Sequence, residues 1–264
     1  MFNSANILNA ANYESLCNYS FVPSHSRVGS PEMLYKPGNI FCKTDYINYL
    51  FEWLNRECKT QHNLITHHSD YPIDEARFNK KPKCIKKWYA INPTVSHPDL
   101  IAIPLGLKTH KEPFLEPQYK TEWFAFNIER LRQNKKENNI YCNWGVTNIE
   151  RMYVIDKLKH AKVEFTHDDN KPFEQYIENM SRHKFVISPP GNGIDCHRTW
   201  EALYVGSIPI VIKNYIYENW TGLPILQVND FSEITDSLLT NFMKKQFTLQ
   251  KLHINYWHNR ICTI

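Results

Sequence analysis

Between residues 138 and 228 short apolar runs alternate with segments of helical periodicity, and this alternation restricts the fold more than any other feature of the chain. "NNIYCNW" reads as a strand, followed by "TNIERMYVIDKLKHA" as a helix with Thr147 or Asn148 as its cap. "KVEFTHDD" is a strand, "PFEQYIENMSRH" a helix with proline in its first turn, and "KFVISPP" a strand. "DCHRTWEALYVG" follows as a helix, with Asp195 a candidate N-cap and Gly206 at the C′ position. "SIPIVI" and "LPILQV" are further strands, and "FSEITDSLLTNFMKKQ" is a helix. Such an order predicts a doubly wound, largely parallel sheet.

The first half is less regular. "NLITHHSDYPI", "IKKWYAINP" and "LIAIPLGL" read as apolar runs opening into loops, and "TDYINYLFEWLNREC" as a helix. The segment "KEPFLEPQYKTEWFAFNIERLRQNKKEN" shifts to prolines, aromatics and charge, which suggests the connection between two lobes. The expected division is residues 1–125 as an N-terminal lobe and 126–264 as a C-terminal lobe, with the last helix able to pack back on the first.

Composition narrows the classes. Hydrophobic residues at 42% and aromatics at 14% supply packed cores and exclude a disordered chain. A formal charge of +4 suits an anionic ligand but is too mild for a nucleic-acid binder. The basic run "KKPKCIKKW" at 80–88 is expected to be a solvated face. Seven cysteines without any Cys-x-x-Cys predict reduced, mostly buried thiols and a cytoplasmic setting. In that setting the sequons at Asn18, Asn179 and Asn219 are chance matches. No apolar run reaches membrane-spanning length, so no membrane segment is expected.

Gly-x-Ser-x-Gly, P-loop, His-Glu-x-x-His and EF-hand patterns do not occur. "GNGIDC" begins like a dinucleotide fingerprint but lacks the third glycine, which disfavours a nucleotide-dependent oxidoreductase. Asp-x-Asp is absent, and Asp168-Asp169 is the nearest thing to a carboxylate pair for a divalent ion. The adjacent His67 and His68 lack the i, i+4 spacing of a helical zinc site, so no metal site is expected.

The loop "SPPGNGID" falls where an open parallel sheet binds ligands, between a strand end and a helix N-terminus. Gly191 and Gly193 permit close backbone approach, and the helix end attracts an anion. Arg198 stands in that helix's first turn, where the dipole disfavours a cation, so an anion of phosphate geometry is the partner it suits. Glu201 lies one turn on along the same face and can accept hydrogen bonds from ribose hydroxyls. The competing interpretation is an Arg198–Glu201 surface ion pair. Asn143, Thr147 and Arg151 join the candidate site because "NWGVTNIER" is a second strand end feeding a helix N-terminus. Arg151 as an ordinary surface residue is equally consistent.

The stretch "FVISPPGNGIDCHRTWEALYVGSIPIV" resembles the donor-binding signature of exostosin-like glycosyltransferases, with its Arg-x-x-Glu-Ala helix before Gly-x-Ile-Pro-Val. "ITHHSDYPI", "AINPTVSHPDLIAIPLGL" and "NWGVTNIERMYV" are similar to a compact subgroup found in large DNA viruses of algae, which build capsid glycans. The resemblance implies a GT-B α/β fold, two Rossmann-like lobes with a donor-binding cleft between them. It implies an inverting, metal-independent transferase using a nucleotide-sugar, here a UDP-sugar with UDP-xylose as first choice, in the host cytoplasm if viral. The acceptor would be an oligosaccharide or glycoprotein glycan. Arg198 would contact the donor diphosphate and Glu201 its ribose, with Pro190, Gly191 and Asn192 lining the sugar or phosphate. A non-catalytic nucleotide- or glycan-binding module is the alternative.

An inverting transfer needs a base for the acceptor hydroxyl. "LITHHSDYPID" offers Asp70, with His67, His68 and Asp74 as alternatives and a turn-capping role for Asp70 as the competing interpretation. Trp88, Tyr89 and His97 are candidates for stacking on acceptor sugars.

Overall fold

The structure, a computed structural model, describes residues 2–22, 30–108, 119–169 and 171–262. It contains two five-stranded sheets, each wholly parallel. The first joins β1 (Tyr19–Phe21), β2 (Gly38–Lys43), β3 (His62–His67), β4 (Ile85–Ala90) and β5 (Leu100–Ala102), side by side in chain order. The second joins β6 (Glu137–Cys142), β7 (Phe165–His167), β8 (His183–Ile187), β9 (Ile208–Ile212) and β10 (Leu226–Val228), in the spatial order β10-β9-β8-β6-β7.

The period-two pattern of the strands divides the apolar residues among three cores. Ile40, Cys42, Leu64, Trp88 and Ala90 leave the first sheet on its outer face. They meet Ile47, Leu50, Phe51 and Leu54 of α2 (Ile47–Glu57), whose spacing makes one helical stripe. On the second sheet Ile140, Phe185, Ile187 and Ile210 form an outer core with α5 (Val154–Ala161) and α9 (Asp236–Met243). The alternate residues of both sheets, among them Phe41, Ile65, Tyr89, Tyr141, Val186 and Val211, belong to one shared inner core. That core is filled by α1 (Ala10–Ser15), α4 (Tyr119–Arg132), α7 (His197–Tyr204) and α10 (Ile254–Ile261). Truncating a buried side chain in such a layer costs about 2–5 kcal/mol.

Several elements depart from expectation. The aromatic, charged stretch before β6 is helical: Phe124, Ile128 and Leu131 of α4 are buried, and residue 125 lies inside this helix, while 111–118 fall outside the described residues. The helix expected over "FSEITDSLLTNFMKKQ" is broken. Asp230 caps a short 3-10 turn at Phe231–Glu233, and Thr235 then starts α9 by accepting the Leu238 N–H, since these side chains compete with the backbone ladder. α10 lies on the first sheet, where Tyr89 Oη donates to Arg260 O at 2.7 Å and Asn63 Nδ2 to Ile261 O at 3.1 Å. All seven cysteines are free thiols, but only Cys42 and Cys142 are buried. Among the described residues no helix is long and apolar enough to cross a membrane.

Candidate functional site

In the second sheet the chain passes from β6 to β7 on one side and then returns to β8 on the other. The loops after β6 and β8 therefore diverge and leave a crevice, the usual ligand position in an open parallel sheet. Arg151 holds the two loops together. Its Nε donates to Pro190 O at 2.8 Å, Nη1 to Gly145 O at 2.8 Å and Nη2 to Pro189 O at 3.2 Å. Asn148 caps the 3-10 turn Ile149–Tyr153 and donates its Nδ2 to Gly191 O at 3.1 Å. A Cβ on Gly191 would stand 3.0 Å from Arg151 Nη2, with Thr147 Oγ1 at 3.8 Å, so the loop is pressed against its clasp. Arg151 is thus buried and committed to carbonyls, which answers the even choice left by the sequence in a third way.

Arg198 differs. It lies in the first turn of α7, behind Cys196, an extended N-cap residue that makes no side-chain cap. Its Nε and Nη1 are enclosed and have no hydrogen-bond acceptor, and neither has Asn143 Nδ2 at the end of β6. Burial works against the Arg198 charge, but Tyr176, Cys196 and Glu201 outweigh it and raise its pKa, so it stays a cation. Burial, and then the charge of Arg198, lowers the pKa of Arg151. The surface ion pair does not exist: Glu201 is 8% exposed, and its Oε2 accepts the Tyr176 hydroxyl at 2.8 Å. Burial raises the Glu201 pKa against the opposing pull of Tyr176 and Arg198. One guanidinium and one side-chain amide are thus left as enclosed donors without acceptors at a helix N-terminus and a strand end, an arrangement that suits an anion with several acceptor oxygens.

The facing wall comes from the C-terminal ends of β3, β4 and β5. His68, just past β3, has φ 59°, and Asn92, just past β4, has φ 51°; such left-handed non-glycine residues concentrate at functional loops. Asn92 Oδ1 accepts the Asp195 N–H at 2.9 Å, and its Nδ2 would lie 2.8 Å from a Cβ on Gly193. A side chain at 193 would therefore press on Asn92 of the other lobe. Asp195 is not the helix cap expected of it. Its Oδ2 accepts from Leu105 N at 2.9 Å and Trp200 Nε1 at 2.8 Å, tying the loop after β5 to α7, and burial pushes its carboxyl up to about 7. His197 Nδ1 donates to Gly106 O at 2.7 Å, and burial lowers its pKa to about 4.

Between these walls runs a cleft of about 240 Å³, lined by His68, Asp70 and Lys108 on one side and Gly191, Asn192 and Cys196 on the other. Asp70 is exposed and its Oδ2 accepts from Asn192 Nδ2 at 3.3 Å across the cleft. The other base candidates separate. Asp74 accepts the Arg77 N–H at 2.8 Å as N-cap of α3 (Glu75–Phe78) and does not line the cleft. His67 is buried, accepts the His68 N–H on Nδ1 at 2.8 Å, and burial lowers its pKa to about 3, too low for a base near neutrality. His68 lines the cleft beside Asp70. Trp88 and Tyr89 are core residues, and His97 packs on Phe78, so none of the three is placed to stack on a sugar in the cleft. Asp168 accepts from Tyr141 Oη and Asn179 Nδ2, at 3.2 and 2.6 Å, and Asp169 pairs with His167. Among the described residues no three His, Cys, Asp or Glu side chains gather around a common point suited to a metal.

The two sheets thus define an α/β protein with a cleft between their C-terminal edges. No protein-family model matches the chain, and no curated protein matches it in sequence.

Proposed function

We propose that the chain is an inverting, exostosin-like glycosyltransferase of GT-B architecture, moving a sugar from a nucleotide-sugar to a glycan hydroxyl. The observation that carries this is the enclosed Arg198 guanidinium, two of whose nitrogens have no acceptor, beside the loop that faces Asp70 across the cleft. Asp70 would take the acceptor hydroxyl proton as the oxygen attacks the anomeric carbon, and the bond from that carbon to the diphosphate oxygen would break. Charge growing on the diphosphate would be met by Arg198, the first N–H groups of α7 and Asn143 Nδ2. Arg151 would act by shaping the 189–191 loop rather than by touching the donor. A UDP-sugar is the proposed donor, UDP-xylose the first to test, and an oligosaccharide or glycoprotein glycan the acceptor. The seven free thiols support a reducing, cytoplasmic setting.

Incubation with a panel of nucleotide-sugars, with nucleoside diphosphate release as readout, tests the proposal. Release from one donor, increased by a glycan acceptor, is expected. Nucleotide binding without turnover of any donor would leave a binding module instead. Protein cations replace a carboxylate-held ion in this scheme, so the rate should persist in excess EDTA. A fall to background restored by Mn²⁺ or Mg²⁺ would contradict it.

A further inference from the structure

The loop from His68 to Asp74 carries an aromatic ring that the core does not use. Tyr71 is 52% exposed and follows Asp70, which lines the cleft. The loop beneath it is well fixed: Ile73 bridges Pro93 in parallel, its N–H donates to Asn92 O at 3.0 Å, and Thr94 N donates to Ile73 O at 3.0 Å. Tyr71 N donates to Ser69 Oγ at 3.2 Å. Arg77 lies over the ring with its guanidinium carbon 5.2 Å from the centroid, and Arg77 Nη1 is itself anchored on Pro72 O at 2.6 Å. The exposed aromatics among the described residues are Tyr35, Tyr49, Tyr71, Phe126 and Tyr153. Of these, Tyr71 alone adjoins a residue of the cleft and alone has a cation over its ring.

An aromatic ring left half in water on a rigid loop, with one face held by a guanidinium, is preorganised to receive a flat partner on its other face. We infer that Tyr71 is a stacking platform for a pyranose ring of the acceptor, holding a sugar hydroxyl within reach of Asp70. This rests on the glycosyl-transfer function and gives it an acceptor subsite. A pyranose presents an apolar C–H face suited to the ring and, at its edge, hydroxyls suited to Asp70 and Asn192. The platform stands on the first lobe, next to Asp70, whose carboxylate meets Asn192 of the second lobe across the cleft.

Saturation-transfer NMR with methyl glycosides of common pyranoses, on wild type, Tyr71→Ala and Tyr71→Trp, tests the platform. UDP affinity is measured on the same samples, with thermal melts as a folding control. Saturation of ring C–H protons in wild type is expected, with Kd raised about three- to tenfold in Tyr71→Ala, the range an aromatic contact supplies, and retained in Tyr71→Trp. UDP affinity should not change. Once an active donor is known, Tyr71→Ala should raise acceptor KM while kcat for the bound acceptor stays near wild type. Equal saturation in wild type and Tyr71→Ala, or no saturation of any pyranoside, would overturn the platform. So would a loss of UDP affinity in Tyr71→Ala, which would make the ring a nucleobase support. Pyranoside binding through Tyr71 with no UDP binding would overturn the transfer function and leave the sugar platform standing.

Discussion

The two sheets have the same strand number and the same parallel sense, yet they end in different ways. The first runs β1 to β5 in unbroken chain order, so its loops follow one another without a gap. The second reverses between β6 and β8, and the reversal opens a crevice at its C-terminal edge. Strand order, rather than composition, thus separates a wall that can enclose an anion from a wall that can only present side chains to it. The same contrast recurs within the second sheet between its two arginines. Arg151 is saturated by three carbonyls, whereas Arg198 keeps two enclosed nitrogens without an acceptor. A saturated buried cation stabilises a loop. An unsaturated one costs stability, as ligand sites commonly do.

The largest expected effect lies on the first wall. Asp70→Asn should reduce transfer by about 10²–10⁴-fold, the usual contribution of a general base, while donor affinity stays near wild type. A variant retaining more than about a tenth of the rate would shift the role to His68.

On the second wall Arg151→Ala should lower stability by about 3 kcal/mol, since three carbonyls lose a charged donor. Denaturant unfolding measures this, and a change below about 1 kcal/mol would mean that the 189–191 loop holds its shape without the clasp.

The join between the walls gives the smallest effect, a change in pH profile. Burial raises the Asp195 carboxyl to about 7, so the folded protein keeps a proton that the unfolded chain has released. Through this group stability falls as pH rises from about 4 to about 7. His67 and His197, lowered by burial to about 3 and about 4, act in the opposite sense. The unfolded chain takes up protons near pH 6.5 that they refuse, so through them stability falls on acidification. Asp195→Asn removes only the first contribution. Its Tm relative to wild type should therefore rise from about pH 4 to about pH 7 and level off above that, and a constant difference would place the Asp195 carboxyl in the ordinary range.

Most of the second sheet was legible because its apolar runs and helical stripes are local patterns. Nothing comparable marks β2, which begins with Gly38 and Asn39. Its pairing depends on Asn39, whose N–H donates to Asn18 Oδ1 and whose Nδ2 donates to Leu16 O. The anion features of the 188–198 segment were also local, since prolines, glycines and an arginine at a helix start are visible in sequence. What Arg151 and Asp195 do was not. Arg151 bonds carbonyls 38 and 39 positions away, and Asp195 meets Leu105 across 90 positions, so folding alone brings their partners together. The positive φ of Asn92 had a faint signal in "INP", because asparagine tolerates that region better than most residues.

The central claim is that Arg198 is left unsatisfied for a nucleotide diphosphate, and titration calorimetry of UDP with wild type and Arg198→Ala, with melts of the unliganded proteins, tests it most directly. Wild type should bind UDP, and Arg198→Ala should lose about 1.5–3 kcal/mol of affinity, roughly 10- to 100-fold, the scale of charge-assisted hydrogen bonds. The unliganded variant should melt close to the wild-type temperature, because removing two enclosed donors without acceptors offsets the lost attraction to Glu201. Equal UDP affinity in the two proteins, or a variant destabilised without loss of UDP binding, would make Arg198 a second structural clasp and contradict the account.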